Sequence, residues 1–460
     1  MHSAKPITAG LKRTFCLVVT IFFSSSLLAQ ENSPYSRYGM GDVVPNQNML
    51  NRSMGGISAG YSDFQSINFV NPASLGNLRS TTFDLGGAID IRNLKSNISP
   101  EKFKSVNTSM SYLQVGFPIA SEKMQKKGNY WGVSFGLRPI TRINYKIEKN
   151  DRLPNIDSLS TLYEGNGGIS QANISTGIKI KNFSFGASTG YSFGTKDYST
   201  KLNFINDTVI YYKSNTATQT RMGGAFLNLG VQYEKRFKKQ DKTDPKKEKI
   251  SILKIGAHAN LQSTLKGTMD NIAETFAYDG NGGTYNIDTV SAITNMKGDI
   301  VLPATYGFGF TYANDNWLFG ADIETTNWKN YSFYKQKDLV QNSYTFRAGA
   351  QYFPAKLNTP FSKYWSFVKY RAGFYYGKDY IKIDNSNRTA YAFTFGAGLP
   401  LTKLQRNNYE YYRDGDVVLN AGMEIGGRGN KQSQSLREGI LRFTIGVSMN
   451  ARWFVKPKYD

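Results

Sequence analysis

Along most of the chain, apolar and polar residues take turns with a period of two. Phe183, Phe185, Ala187, Thr189, Tyr191 and Phe193 fall on one side of an extended segment, and Ser184, Gly186, Ser188, Gly190 and Ser192 on the other. Tyr391, Phe393, Phe395, Ala397 and Leu399 alternate in the same way with Ala392, Thr394, Gly396 and Gly398. So do Leu441, Phe443, Ile445, Val447 and Met449 with Arg442, Thr444, Gly446 and Ser448. Alternation over about ten residues is the pattern of a tilted strand crossing a hydrocarbon layer. It predicts strands over Thr81–Ile91, Thr108–Ile119, Asn129–Arg138, Ser170–Ile180, Phe183–Phe193, Ala217–Tyr233 and Ile250–Leu261. Seven more follow over Val301–Tyr312, Trp317–Thr326, Ser343–Phe353, Trp365–Tyr376, Ala390–Leu399, Val417–Gly427 and Gly439–Met449.

A soluble sandwich would also alternate, but its polar face meets water and carries long charged side chains. Here Gly and Ser dominate that face, as suits a filled lumen. Fourteen is an even number, as a single-chain barrel requires when both ends stay in the periplasm. Connections alternate in length: 180–183 and 312–317 are tight, whereas 139–169, 194–216 and 262–300 are long and fall on the extracellular side. The stretches 232–249 and 400–416 break that rule, being long on the periplasmic side. The expected fold is therefore all-β, a 14-stranded antiparallel transmembrane barrel.

The first eighty residues lack the alternation. Lys5, Lys12 and Arg13 precede an apolar run from Thr14 to Leu28, and small residues surround Ala29, the pattern of a secretory signal cleaved after Ala29. From Glu31 to Ser80, Gly, Asn and Ser are scattered with no sustained period, which reads as an irregular plug or arm. The expected organisation is a signal peptide over 1–29, a plug or hatch over 30–80 and a transmembrane barrel over 81–460. No later stretch approaches the eighteen or so apolar residues of a spanning helix.

Composition agrees: 30 Tyr, 29 Phe and 44 Gly against 14 Pro is a strand-rich profile. The mean hydropathy of −0.44 resembles that of a soluble protein, as it can when only alternate strand residues meet lipid. The formal charge is +22, and removing the three basic residues of the signal leaves +19. Export and the placing of basic residues in connections argue against nucleic acid and for solvated loops or loops facing anionic lipid headgroups and lipopolysaccharide. Cys16 lies mid-signal, so the mature chain is expected to be free of cysteine. Trp131, Trp317, Trp328, Trp365 and Trp453 fall near strand ends, where an indole can sit at headgroup level.

Two motifs in the irregular segment, Arg52-Ser-Met-Gly-Gly-Ile57 and Ile67-Asn-Phe-Val-Asn-Pro-Ala-Ser-Leu75, lead straight into the first strand. This arrangement resembles the FadL family of outer-membrane transporters for long-chain fatty acids and other hydrophobic compounds. The resemblance implies fourteen strands, an N-terminal hatch, and an Asn-Pro-Ala motif in that hatch at Asn71, Pro72 and Ala73. Gly426-Gly-Arg-Gly429, Glu438 and Trp453-Phe-Val-Lys456 look like a Bacteroidetes-type branch of the family. That branch also includes barrels that serve protein secretion, and the Ser33-Pro-Tyr-Ser-Arg-Tyr-Gly-Met-Gly-Asp42 opening is unlike the classical transporter start.

The plug or gate candidates are Asn71, Pro72, Ala73, Gly55 and Gly56. Pro72 fixes its own φ and biases Asn71 toward an extended backbone, forming a rigid corner that leaves the Asn amide free to bond the wall, as a gate or as an anchor. Arg138, Arg347, Arg371 and Arg442 fall on the inward face with Asp84, Asp90, Asp322, Glu324 and Glu424. They could receive an anionic headgroup, or pair as a network joining wall and plug. Catalysis is not expected: the mature chain has one His, His258, on an inward face, and no second His or Cys for a metal. No cofactor is expected. Glu164-Gly-Asn-Gly-Gly168 and Asp279-Gly-Asn-Gly-Gly283 read as glycine-rich turns. Two functions are expected: passive uptake of a hydrophobic or amphipathic small molecule, or a non-transporting barrel subunit or shuttle of an outer-membrane secretion or assembly complex. Adhesion through the loops is a third.

Overall fold

The computed structural model describes residues 33–96, 102–152, 158–205, 212–240, 248–279, 283–355, 363–383, 387–401, 416–430 and 436–451. The signal and Trp453 lie outside the described residues. Fourteen wall strands follow in chain order. They are β1 (Thr81–Lys95), β2 (Lys102–Pro118), β3 (Tyr130–Pro139, continuing as Thr141–Asp151), β4 (Leu159–Ile180) and β5 (Phe183–Phe204). Next come β6 (Lys213–Gln240), β7 (Glu248–Asn260, continuing as Ser263–Tyr278), β8 (Thr284–Leu302, continuing as Thr305–Ala313) and β9 (Trp317–Thr326). The last are β10 (Ser343–Tyr352), β11 (Lys369–Lys378), β12 (Thr389–Pro400), β13 (Asp416–Gly429) and β14 (Arg437–Ala451). Each pairs antiparallel with its neighbours, and β14 closes the ring on β1 from Arg437 opposite Lys95 to Ala451 opposite Thr81. Closure removes the bare sheet edges that hydrocarbon cannot tolerate.

The alternation predicts the faces correctly. Phe183, Phe185, Tyr191 and Phe193 are exposed to the surroundings of the ring, while Ser184, Ser188 and Ser192 are buried inside it. Tyr391, Phe393 and Phe395 likewise face out, with Ala392 and Thr394 buried. No described helix is long and apolar enough to cross a membrane.

Four expectations need correcting. The long extracellular connections are largely strand: β3 to β8 keep their ladders well past the apolar band, because backbone pairing continues where side chains turn polar on both faces and period two fades. Glu164–Gly168 is consequently part of β4 and not a turn, with Gly165 opposite Tyr198. The predicted strand from Trp365 begins only at Lys369, since Tyr364–Phe367 form a short 3-10 helix. Trp328 is buried, stacked on Tyr380 with ring centroids 4.5 Å apart, while Trp131, Trp317 and Trp365 are exposed as expected.

Residues 33–80 lie inside the ring. Met49–Arg52 form one helical turn capped by the Asn48 side chain, and Pro72–Asn77 a 3-10 helix capped by the Asn71 side chain. Met40, Met54, Ile57, Ala59, Ile67 and Ala73 have no exposed surface. An irregular segment can be buried this way only if its backbone groups find partners in the wall, and they do: the Asp322 carboxylate accepts from the Ser58 and Ala59 amides at 2.5 and 2.7 Å, and the Thr394 hydroxyl accepts from the Gly55 amide at 2.8 Å.

The lumen and its lateral seam

The small residues of the inward face are the footprint of this segment, and they do not leave the open room beside it that a small-residue lumen suggests. A Cβ added to Gly186 would overlap the Ala73 amide and the Pro72 carbonyl, and one on Gly230 would overlap the Asn71 amide oxygen. On the far wall, Gly349 and Gly373 lie directly against Met54 and Gly55. Gly55 and Gly56 adopt φ of +69° and +87°, a left-handed backbone that carries the segment around this contact and that a side chain would strain.

Asn71, fully buried, bonds in both directions. Its Oδ1 accepts from the Ala73 amide at 3.1 Å, fixing the corner at Pro72, and its Nδ2 donates to the carbonyls of Ala59 at 2.7 Å and of Val231 and Ala257 in the wall at 3.3 Å each. The Asn-Pro-Ala corner thus touches β5, β6 and β7, across the lumen from Gly55 and Gly56, which touch β10 and β11.

Two lines of buried ion pairs tie the segment to the wall, and Arg92 joins them, standing 3.9 Å from Asp90. In one, Arg52 of the segment meets Glu424 at 2.7 Å, Glu424 also accepts from Arg442 at 2.8 Å, and Arg442 reaches Asp90. In the other, Asp42 of the segment lies 2.6 Å from Arg92 and 2.9 Å from Arg428, Arg428 continues to Asp379 at 2.8 Å, and Asp379 meets Arg388 at 3.1 Å. Burial alone would raise the Asp42 carboxyl, but Arg92 and Arg428 hold it below the usual carboxylate range. Parity could have found Arg92 and Arg428, which share the inward faces of Asp90 and Glu424. Asp42 sits in a segment without period, and no sequence signal marks it.

Above the segment is a chamber of about 340 Å³, lined by Arg138, Arg347 and Arg442 together with His258, Glu324 and Asp42. Arg371 is not among its lining residues; it bonds Gln351 and Asn420 at 2.8 Å each. Arg347 pairs with Glu324 at 2.9 Å, and His258 Nε2 stands 3.9 Å from the same carboxylate. Arg138 differs from its neighbours. It contacts neutral Asn46 and Gln171, lies over the Phe69 ring at 5.0 Å, and its buried Nε has no hydrogen-bond partner. Among the described residues no cluster of three His, Cys, Asp or Glu is placed to hold a metal.

Among the described residues the wall opens into a seam between β2 and β3. β2 pairs with β3 only from Leu113 opposite Leu137 to Pro118 opposite Gly132. Beyond Pro139, which has no amide hydrogen to give a ladder, β3 continues as Thr141–Asp151 on β4 and leaves the upper half of β2 paired to β1 alone. Asp42 and Val43 occupy the foot of the gap, pairing with Arg142 and Thr141. The Arg142 guanidinium spans it to the Met110 carbonyl at 3.0 Å. A small cavity lined by Ser109, Ser111 and Arg142 shares residues 42–45, Arg92 and Arg442 with the chamber.

A closed fourteen-strand ring, greasy outside and filled inside by its own N-terminal residues, defines an outer-membrane β-barrel. Solved structures with this fold include the toluene transporter TbuX of Ralstonia pickettii, 14% identical with a TM-score of 0.50 over 89% of this chain and 99% of that one. They also include the toluene transporter TodX of P. putida, 14% identical, TM-score 0.51, 90% and 100% covered, and a Pseudomonas aeruginosa FadL homologue, 12% identical, TM-score 0.50, 89% and 98% covered. At such identities the likeness is one of fold. The family model described as BamG matches residues 11–460, and the chain belongs to that family. No curated protein matches the sequence.

Proposed function

We propose that this chain is a conduit for passive uptake of hydrophobic or amphipathic small molecules across the outer membrane, long-chain fatty acids or simple aromatics among them. The observation that carries the reading is the seam between β2 and β3 beside a chamber that shares its lining. A molecule in the chamber would leave sideways into the bilayer past residues 42–45, without crossing the packed lower lumen. Solved structures of the same fold, among them toluene transporters and a monoaromatic hydrocarbon channel, support a conduit of this class. Residues 33–80 act as the plug. Asn71, Pro72, Ala73, Gly55 and Gly56 serve as its anchor points, the first three seated against wall backbone on one side of the lumen, Gly55 against wall backbone on the other, and Gly56 beside the Arg347 side chain. Arg138, the chamber arginine without an acidic partner among the described residues, is the residue we assign to an anionic headgroup; Arg347 and Arg442 are engaged by carboxylates. A passive conduit requires neither cofactor nor catalytic group, and we assign none.

The test is uptake of labelled fatty acid and toluene by liposomes carrying the full chain, with Met110→Cys and Arg142→Cys bridged by a short bismaleimide. Bridging is expected to slow uptake at least about tenfold and Arg138→Met to raise the half-saturating concentration of fatty acid but not of toluene. Uptake equal to that of protein-free liposomes would end this reading.

A second reading, a barrel subunit of an outer-membrane secretion or assembly complex, is favoured by one specific feature. The upper part of β8, above its short pairing with Ser332–Phe333, has β7 on one side and, among the described residues, no strand on the other, and Tyr285, Ile287, Val290 and Ile293 stand exposed there. An open strand edge of this length is a template for another chain. Gentle extraction followed by native mass spectrometry separates the two: stoichiometric partners lost on Val290→Pro favour the subunit, and a lone barrel favours the conduit.

A further inference from the structure

Past the lipid band, two consecutive inward rungs of the β5–β6 ladder, Lys196 opposite Thr220 and Tyr198 opposite Thr218, form the floor of a groove. Its other walls are Arg37 and Tyr38 from the inner segment and the stretch from Phe333 to Leu339. The groove encloses about 540 Å³, within the few hundred to a thousand Å³ that small-ligand sites occupy. It lies on the extracellular side, apart from the chamber and the seam.

Two buried groups in its floor keep unused hydrogen-bonding capacity. Lys196 is 7% exposed, and of its three donors one reaches the Gly39 carbonyl at 3.0 Å. It forms no ion pair among the described residues; its ammonium stands over the rings of Phe333 and Tyr198, 4.4 and 4.9 Å from their centroids. The Thr220 hydroxyl, directly across the ladder and with no exposed surface, has no hydrogen-bond partner. Asp338 supplies the groove's carboxylate, and that carboxylate is already occupied by the amides of Gly39 and Leu339 at 2.7 Å each. Three cations, Arg37, Lys196 and Lys337, therefore face one engaged acid. Asp338 acts on Lys196 through space but does not contact it as an ion pair, and a buried cation without a contacting counter-charge is costly. An apolar ligand would worsen that cost. Tyr38 and Phe333 add ring faces that suit the flat, partly apolar face of a pyranose.

We propose that this groove binds an acidic carbohydrate, a sugar chain carrying carboxylate or phosphate. Its acid group sits on Lys196 and Thr220 between Arg37 and Lys337, and a neighbouring ring lies against Tyr38 and Phe333. Such a group can arrive on a soluble polysaccharide or on the phosphorylated sugar head of a glycolipid, and the experiment separates these sources.

The full chain in detergent micelles is titrated calorimetrically with trigalacturonate, with neutral maltotriose, and with a diphosphorylated lipid A-type disaccharide in mixed micelles. At least one acidic probe should bind at least about tenfold more tightly than maltotriose. The trisaccharide binding assigns the soluble source, and the glycolipid binding alone assigns the membrane source. Lys196→Met with Thr220→Val should weaken that probe about tenfold or more. Lys196→Arg, which keeps the charge and reports that the barrel still folds, should largely retain it. Arg37→Ala with Lys337→Ala should weaken binding and flatten its salt dependence. Failure of both acidic probes, equal binding of maltotriose, or affinity unchanged by the Lys196→Met and Thr220→Val pair would overturn the proposal.

Discussion

The inner segment is held in two different ways along its length. From Ser53 to Asn77 it sits on wall glycines, with backbone bonded to Asp322, Thr394 and Asn71 and no space at the contact. From Ser33 to Val44 it is held by charge, through Asp42 between Arg92 and Arg428, and by a two-residue ladder on β3. Steric seating of the first kind cannot be loosened without moving the wall. A charged latch of the second kind can be weakened by changing one proton or one side chain, and it is this latch that lies at the foot of the seam.

The largest effect that would test this contrast is on the seated half. Gly186→Val drives a branched side chain into the backbone of Ala73 and Pro72, and overpacking of this order costs about 1–3 kcal/mol or more. A lower urea midpoint and proteolysis of the segment in the folded barrel are expected; wild-type behaviour in both would show that the glycine row is not a seat. Arg52→Met should come close behind, because it leaves Glu424 with Arg442 as its only cation, and breaking a buried pair on one side costs about 3–5 kcal/mol before relaxation. Arg442 stays on Glu424 and retains much of that, so a loss below that range, and below that of Gly186→Val, is expected in the denaturant midpoint.

Asp42→Asn should act locally, raising hydrogen exchange across residues 33–44 while exchange across residues 53–77 stays unchanged. Its pH counterpart follows from the depressed Asp42 carboxyl: a group ionised more readily in the folded state stabilises above its unfolded pKa of about 3.9 and loses that contribution as pH falls below it. Protection of residues 33–44 should therefore fall below about pH 4 and that of residues 53–77 should not, and loss of both together would erase the distinction. The smallest effect expected is at Lys196, whose ammonium burial pushes down to about 8. Its folded pKa lies below the unfolded value of about 10.4, so ligand-free stability should rise slightly between those pH values, and Lys196→Met should abolish the rise in calorimetric scans.

Much of the wall is legible in the chain. Each of the fourteen predicted strands has a counterpart, and inward residues such as Asp90, Glu424 and Arg442 follow from parity alone. The upper strands resemble loops in sequence because Thr, Asn and Lys on both faces of β5 to β8 leave no period to detect. The glycine rows were visible, but their occupant was not. Glycine on an inward face is equally compatible with an open pore and with a wall pressed against a second backbone.

The sequence by itself determined the strands, their number and which way each side chain points, because alternation is a local property of an extended backbone facing two solvents. The tertiary structure decided what each inward residue meets. Arg52 and Glu424 are separated by 372 positions and come together only when the ring closes around the segment. The seam between β2 and β3, an Arg138 that meets no carboxylate among the described residues and a buried Lys196 that meets none either arise at the same stage, since each depends on which chain segment reaches its neighbour and no residue pattern along one strand records that.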